Sequence, residues 1–361
     1  MGQPLADTSA ALEPASNASS DVDTVSDQAS CIRSAHRFAM LDGWRALSIV
    51  LVLAAHLLPI GPKSLQLNEA VAAMGMALFF TLSGFLITRF LAAPNASVRS
   101  FAIRRFFRIV PLSWLVCLMV LPFNRAPAGA YLPHFFFYAN LPPFWLLKMT
   151  SHLWSLCVEM QFYVGIALLV ALVGRRGLYA IPLLCLSVTA LRVATGAQIS
   201  IVTWLRVDEI LAGGTVALAY SGWFGPWPMR LAGRVNVYVL LPILLLASHV
   251  AGGPLDYLRP YIASTIVAAS LVNAPPQLAR MFEHQITGWI ATISYALYII
   301  HGVLMNTWLG TGGTLVKYLK RPVLVGVTFL LAHLSTYKFE QRCIAYSKRI
   351  TLSMVREAGG N

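Results

Sequence analysis

Residues 42–60 read DGWRALSIVLVLAAHLLPI, an apolar run long enough to cross a bilayer that is interrupted by two strongly polar side chains, Arg45 and His56. They are eleven positions apart. At 100° per residue that spacing leaves them only ~20° apart around a helix and ~16 Å apart along its axis, so both look the same way. With Leu41 at the lipid boundary, His56 lies ~22 Å into a hydrocarbon layer of ~30 Å. A charge at such depth costs ~2.5–3.5 kcal/mol even on the lenient insertion scale, so these groups face protein or a wet cavity.

Further apolar runs follow at about 70–92, 106–123, 153–173, 178–194, 207–222, 235–251, 258–273, 287–309 and 321–338, which makes ten, the sixth and eighth being short. They predict an all-α integral membrane protein, a polytopic bundle of about ten transmembrane helices. Composition agrees: 57% of the residues are hydrophobic and 11% charged, where a soluble domain carries about 25% charged. Soluble, fibrous and disulfide-scaffold classes are excluded. The five cysteines are odd in number, widely spaced and without a CxxC pair, so no metal site is expected.

Three regions are predicted. Residues 1–36 are rich in Ser, Ala, Asp and Asn and read as a disordered polar tail; 37–345 form the membrane domain; 346–361 form a short basic tail. With the N-terminus inside, the segments on that side carry seventeen Lys and Arg and those on the other side nine. The positive-inside bias therefore predicts cytoplasmic termini, with Lys317, Lys320 and Arg321 running against it at the last hairpin. The net charge of +13 is read as these inside loops, with the lipid bilayer as partner and no nucleic acid. Residues 124–151, rich in Pro and aromatics, suit an interfacial loop capping a cavity.

Other polar groups stand where lipid would forbid them. His152, Ser155 and Glu159 share a face at the start of the fourth run, beside Trp154. A carboxylate in that apolar setting is paired or protonated; Glu159 orients His56, pairs with Arg45, holds an acceptor, or serves only as an interhelical ion pair. Arg104, Arg105 and Arg108 precede the third run. Placed at a helix start, Arg105 and Arg108 suit the phosphates of a nucleotide-bearing donor; the plainer alternative is a basic loop on lipid headgroups. Ser83 and Gly84 supply a hydroxyl and a point of close backbone approach. Ser294, Tyr298 and His301 follow i, i+4, i+7 spacing on one stripe, as either an inner site face or a helix cross-link. A neutral His56 imidazole can take a proton from an acceptor hydroxyl.

Leu41-Asp42-Gly43-Trp44-Arg45-Ala46 with His56 resembles the first-helix motif of the membrane-bound acyltransferase-3 family. Ser83-Gly84-Phe85-Leu86-Ile87-Thr88 is similar to its second-helix signature, and Arg104-Arg105-Phe106-Phe107-Arg108 to its Arg-x-x-Arg element. His152-Leu153-Trp154-Ser155 through Glu159 and Tyr163 resembles its Trp-Ser-Leu-x-x-Glu block, and Tyr295-Ala296-Leu297-Tyr298 through His301 its late Tyr-x-Leu-Tyr-x-x-His element. Phe339-Glu340-Gln341 stands where the family often has Glu-Arg. Two departures are Met160, where a second acid is usual, and Gln341, where Arg is common.

The resemblance implies transfer of an acyl group, often acetyl from acetyl-CoA, to a hydroxyl of a saccharide such as O-antigen, exopolysaccharide, peptidoglycan or a lipo-oligosaccharide, in the bacterial inner membrane. On this reading acyl-CoA and a glycan or glycolipid are the partners. Arg104, Arg105, Arg108, Ser83 and Gly84 hold the donor; His56, Arg45, Glu159 and Ser155 act in catalysis; His152, Trp154, Tyr298 and His301 meet the acceptor. An acyl-His intermediate stays open. The alternative is a multi-pass exporter of a small acid or lipid-linked sugar that uses the same buried charges as a pathway.

Overall fold

The computed structural model describes residues 39–359, with side chains to Met354, so the predicted tail over 1–36 lies outside the described residues. Among these residues every regular element is helical. In chain order they are α1 Ala39–Leu57, α2 Leu67–Ala92, α3 Val98–Phe123, the short α4 Tyr131–Phe135, α5 Trp154–Val173, α6 Ala180–Thr195 and α7 Asp208–Tyr220. There follow α8 Trp227–Ala232, α9 Val237–Leu246, α10 Arg259–Val272, α11 Pro276–Glu283, α12 Gln285–Leu304, α13 Thr314–Ser335 and α14 Gln341–Gly359.

Each of the ten predicted runs coincides with a helix, and six of these helices are long and apolar enough to cross a membrane: α1, α2, α3, α5 with the 3-10 turn before it, α6 with the turn before it, and α12. The others fall short for identifiable reasons. Helices α7, α9 and α10 have 13, 10 and 14 residues, which at 1.5 Å per residue reach only ~15–21 Å. Helix α13 is long enough, but its first half carries Lys317, Lys320 and Arg321.

Two boundaries differ from expectation. Helix α3 starts at Val98, eight residues before the apolar run, because Ser97 caps it by accepting the Ser100 amide at 3.2 Å. Arg105 and Arg108 therefore lie two to three turns inside the helix and not at its free N–H end, whose field fades within the first turn. At the C-terminus, a π-helical segment, Thr336–Glu340, leads from α13 into α14, so residues predicted as a basic tail are helical through Gly359.

Helix α2 runs through the middle of the bundle with sixteen of its residues buried. One side is pressed onto α7 at glycines: a Cβ at Gly84 would fall on the Ile210 carbonyl oxygen, and one at Gly213 on the Thr81 carbonyl oxygen. Backbones approach this closely only where side chains are absent. Helices α6, α7 and α10 are joined by a buried ion network. Arg192 pairs with Asp208 at 2.6 Å, Arg259 with Glu209 at 2.7 Å and with Asp256 at 2.5 Å, and Arg206 with Glu209 at 3.4 Å. Helix α1 is fixed through Trp44, whose Nε1 donates to Ser270 Oγ at 2.8 Å and whose ring meets Phe282 edge-on.

The loop over 124–151 is pinned rather than loose. Gln161 Nε2 donates to the Phe137 carbonyl at 2.8 Å and Asn140 Oδ1 at 2.9 Å, and Asn140 Nδ2 donates to the Ile201 carbonyl at 2.8 Å.

The contact between α2 and α7 sets a prediction. Gly84→Ala places a methyl against backbone and is expected to destabilise by about 2 kcal/mol or more, whereas Gly165→Ala, whose Cβ would meet open space, leaves stability within about 0.5 kcal/mol. Melting temperatures of the purified variants in detergent check both.

Candidate active site

Arg45 and His56 do share a face of α1, and a row of cavities runs along it. At one end of the bundle a mouth of about 210 Å³ is lined by Phe90, Phe101, Arg104, Arg105, Arg108 and Lys348 among others. Arg105 and Arg108 also line the next chamber, only about 50 Å³, together with Arg45, Ser83, Glu159 and Tyr163. Arg45, Phe79 and Ser294 continue into a tight neck of about 10 Å³. Val52, Met76 and Tyr298 line that neck and also the last chamber, about 390 Å³, which holds His56, His152, Trp154 and Arg206.

Helix α2 supplies the common wall. Ala72, Met76, Phe79, Ser83, Leu86 and Phe90 line successive cavities, and their alternating spacing of four and three is one helical stripe. Eighteen residues of α-helix span ~27 Å, close to the thickness of a hydrocarbon layer of ~30 Å. The row, whose members share lining residues, is thus strung between the two ends of the bundle.

At the far end three imidazoles meet. His301 is fully buried, and its Nδ1 lies 3.1 Å from the Leu297 carbonyl. A carbonyl only accepts, so Nδ1 carries the proton and Nε2 keeps its lone pair. His56 Nδ1 stands 3.2 Å from that Nε2 and must donate to it. His56 Nε2 is then left unprotonated on the cavity side, the state a proton acceptor needs. His152 Nε2 donates to the Ile299 carbonyl at 3.0 Å, while its buried Nδ1 has no hydrogen-bond partner. Gly302 makes room for that ring, since a Cβ there would overlap it.

Nearer the mouth, Glu159 Oε1 accepts from Ser83 Oγ and Tyr163 OH, and these two hydroxyls lie 2.9 Å apart. Arg45 Nη1 pairs with Asp42 at 3.0 Å. Glu159 therefore shares a chamber with Arg45 and Arg105 but does not orient His56; His301 holds that position. Arg105 lies over the Tyr163 ring at 5.6 Å.

Other predicted residues fall as follows. Trp154, His152 and Tyr298 line the His56 chamber. Ser155 is fully buried and lines none of these cavities; its Oγ is 2.5 Å from Tyr298 OH, which also donates to the His152 carbonyl, so Ser155 fixes Tyr298. Gly84 faces α7 and lines none of these cavities. His301 supports His56 from beneath and does not face the cavity. Arg206, which sequence reasoning treats only as a loop charge, is 2% exposed and reaches the His56 chamber. Its guanidinium lies 5.4 Å from the Trp154 ring, and its Nε and Nη1 have no hydrogen-bond partners. Its position just ahead of Asp208 and Glu209 is the signal that could have marked it.

The arrangement combines an anion-attracting mouth, a narrow neck and an unprotonated imidazole beside a chamber with an aromatic platform. It is suited to bringing a reactive group on an anionic carrier to a hydroxyl.

Residues 38–336 match the model of a family described as "Acyltransferase domain". The chain is 24% identical over 350 residues to "Peptidoglycan O-acetyltransferase OatA" of Listeria monocytogenes, covering 82% of this chain and 54% of that protein. It is 24% identical over 396 residues to "Putative peptidoglycan O-acetyltransferase YrhL" of Bacillus subtilis, covering 89% and 58%. The chain thus spans little more than half the length of these curated relatives. No solved structure matches it.

Diethyl pyrocarbonate acylates unprotonated imidazole nitrogens that it can reach. It is expected to modify His56 at Nε2 and to spare buried His301, as peptide mapping by mass spectrometry would show; labelling of His301 first would contradict the hydrogen-bond order given above.

Proposed function

The chain belongs to this acyltransferase family, and from that premise we propose that it is a membrane O-acyltransferase that moves an acetyl group from acetyl-CoA to a saccharide hydroxyl. The row of cavities along α2 is the observation that carries the reading, because it links a cluster of arginines to an imidazole with a free lone pair. Family membership removes the motive for the exporter reading. The relatives' names point to a peptidoglycan-type glycan as the acceptor class. In this reading the helical bundle sits in a bacterial inner membrane, its shorter helices completing it without each crossing alone, with both termini and the arginine mouth on the cytoplasmic side.

Arg105 and Arg108, with Arg104 beside them, hold the donor's phosphates; guanidinium groups suit phosphate through paired N–H donors. The thin pantetheine arm passes Ser83 and Phe79 and lies in the neck. Glu159, held by Ser83 and Tyr163, faces the arm's amides from the chamber wall. On the other side a sugar ring rests on Trp154, with Arg206 donating to its oxygens.

His56 Nε2 takes the proton of the acceptor hydroxyl as that oxygen attacks the thioester carbonyl. When the carbon–sulfur bond breaks, His56 returns the proton to the thiolate, giving free CoA and the ester. His301 accepts from His56 Nδ1 throughout and keeps the ring in the reacting tautomer. Arg45 supplies positive charge at the donor side of the neck.

Membranes containing the wild-type chain are expected to transfer radiolabelled acetyl from acetyl-CoA to glycan, and His56→Ala to lose at least ~100-fold of that rate. Wild-type transfer in His56→Ala would remove His56 from the chemistry. His301→Ala is expected to lower kcat about tenfold or more while leaving the KM for acetyl-CoA unchanged, because it acts only through the His56 ring; a rise in KM alone would count against that role.

A further inference from the structure

The family match ends at residue 336, yet α14 forms one wall of the arginine mouth. Ile344, Ser347 and Lys348 line it, and Thr351 Oγ1 accepts from Arg104 Nη2 at 3.5 Å. Spaced i, i+3, i+4 and i+7, these four residues share one face of the helix. The Tyr346 ring meets Phe107 of α3 edge-on with centroids 5.3 Å apart, which fixes α14 against the helix that bears the arginines.

Four cations, Arg104, Arg105, Arg108 and Lys348, therefore line one cavity whose wall contains no carboxylate. Like charges gathered this way repel, and an entering polyanion offsets the repulsion. The cations are also graded in depth. Arg105 and Arg108 belong to both the mouth and the inner chamber, whereas Arg104 and Lys348 line the mouth. A donor threaded acyl end first presents its diphosphate to the shared pair and its last phosphate to the outer pair.

We infer that Lys348, on a helix outside the shared family domain, binds the outermost phosphate of the donor, which in coenzyme A is the monophosphate on the ribose. This rests on the acyl-CoA reading above. An ammonium on a flexible stem suits a terminal monophosphate that can be approached from several directions, whereas the arginine forks suit the more confined diphosphate. The C-terminal helix is then part of the donor site, not an appendage.

The test is a calorimetric titration of the purified full chain in detergent with coenzyme A, 3′-dephospho-coenzyme A and adenosine 3′,5′-bisphosphate. Lys348 is exposed, so Lys348→Ala and Lys348→Glu are expected to fold. Arg349→Ala, on the next exposed position and outside the mouth, controls for general charge. The expected result is coenzyme A binding about fivefold weaker in Lys348→Ala, weaker still in Lys348→Glu and unchanged in Arg349→Ala, with no effect of Lys348→Ala on the dephospho compound. Coenzyme A binding that is intact in both Lys348 variants overturns the inference and leaves the donor reading standing. An equal loss in Arg349→Ala, or an equal loss for the dephospho compound, also overturns it. Lys348-dependent binding of the bisphosphate without binding of coenzyme A supports the phosphate site and removes the donor reading, while binding of neither removes both.

Discussion

The contact on which the bundle depends is the glycine-mediated approach of α2 to α7. Gly84 and Gly213 let backbone meet backbone, Gly84 against the Ile210 carbonyl of α7 and Gly213 against the Thr81 carbonyl of α2, so turning α2 about its axis would press a side-chain-bearing face onto α7. Once its rotation is set, the stripe from Ala72 to Phe90 must face α1, α3, α5 and α12 and form the wall that these four cavities share. A helix normally offers one apolar stripe to a core. Here one side serves close packing and another a passage, and lipid is kept largely away from both.

The polar groups inside the bundle fall into two kinds. Arg192, Arg259, Asp208, Glu209 and Asp256 are matched with one another at the junction of α6, α7 and α10, where removing a single partner would leave an uncompensated buried charge. Arg206 and His152 differ in place: Arg206 also pairs with Glu209, but both residues line the His56 chamber, where Arg206 Nε and Nη1 and His152 Nδ1 have no hydrogen-bond partners. Unmet hydrogen-bonding capacity of that kind is costly in an empty protein and becomes useful when a substrate supplies the missing atoms.

Much of this is legible in the amino-acid sequence. The eleven-residue spacing of Arg45 and His56 translates directly into a shared face because one unbroken helix of fixed period carries both. The ten apolar runs all locate helices. The start of α3 is not legible from hydropathy, since Arg99, Arg104 and Arg105 mask a helix that begins at the Ser97 cap. The ring partner of His56 is hidden for another reason. His301 lies 245 positions away, and local spacing carries no information about which helices become neighbours. For Glu159 the same holds of Ser83, 76 positions away, whereas Tyr163 stands four positions on along the same helix, and neither His56 nor Arg45 is its partner. Gly84 reads as part of a donor-binding motif, yet its missing side chain is needed where α2 meets α7.

The neck between the two chambers has a consequence for the cell. Ile49, Val52, Met76 and Phe79 make half of its lining apolar, beside Arg45, Ser48, Ser294 and Tyr298, and a tight, partly apolar constriction resists the passage of hydrated ions. A protein that is hollow from both ends can then sit in an energised bilayer without short-circuiting it.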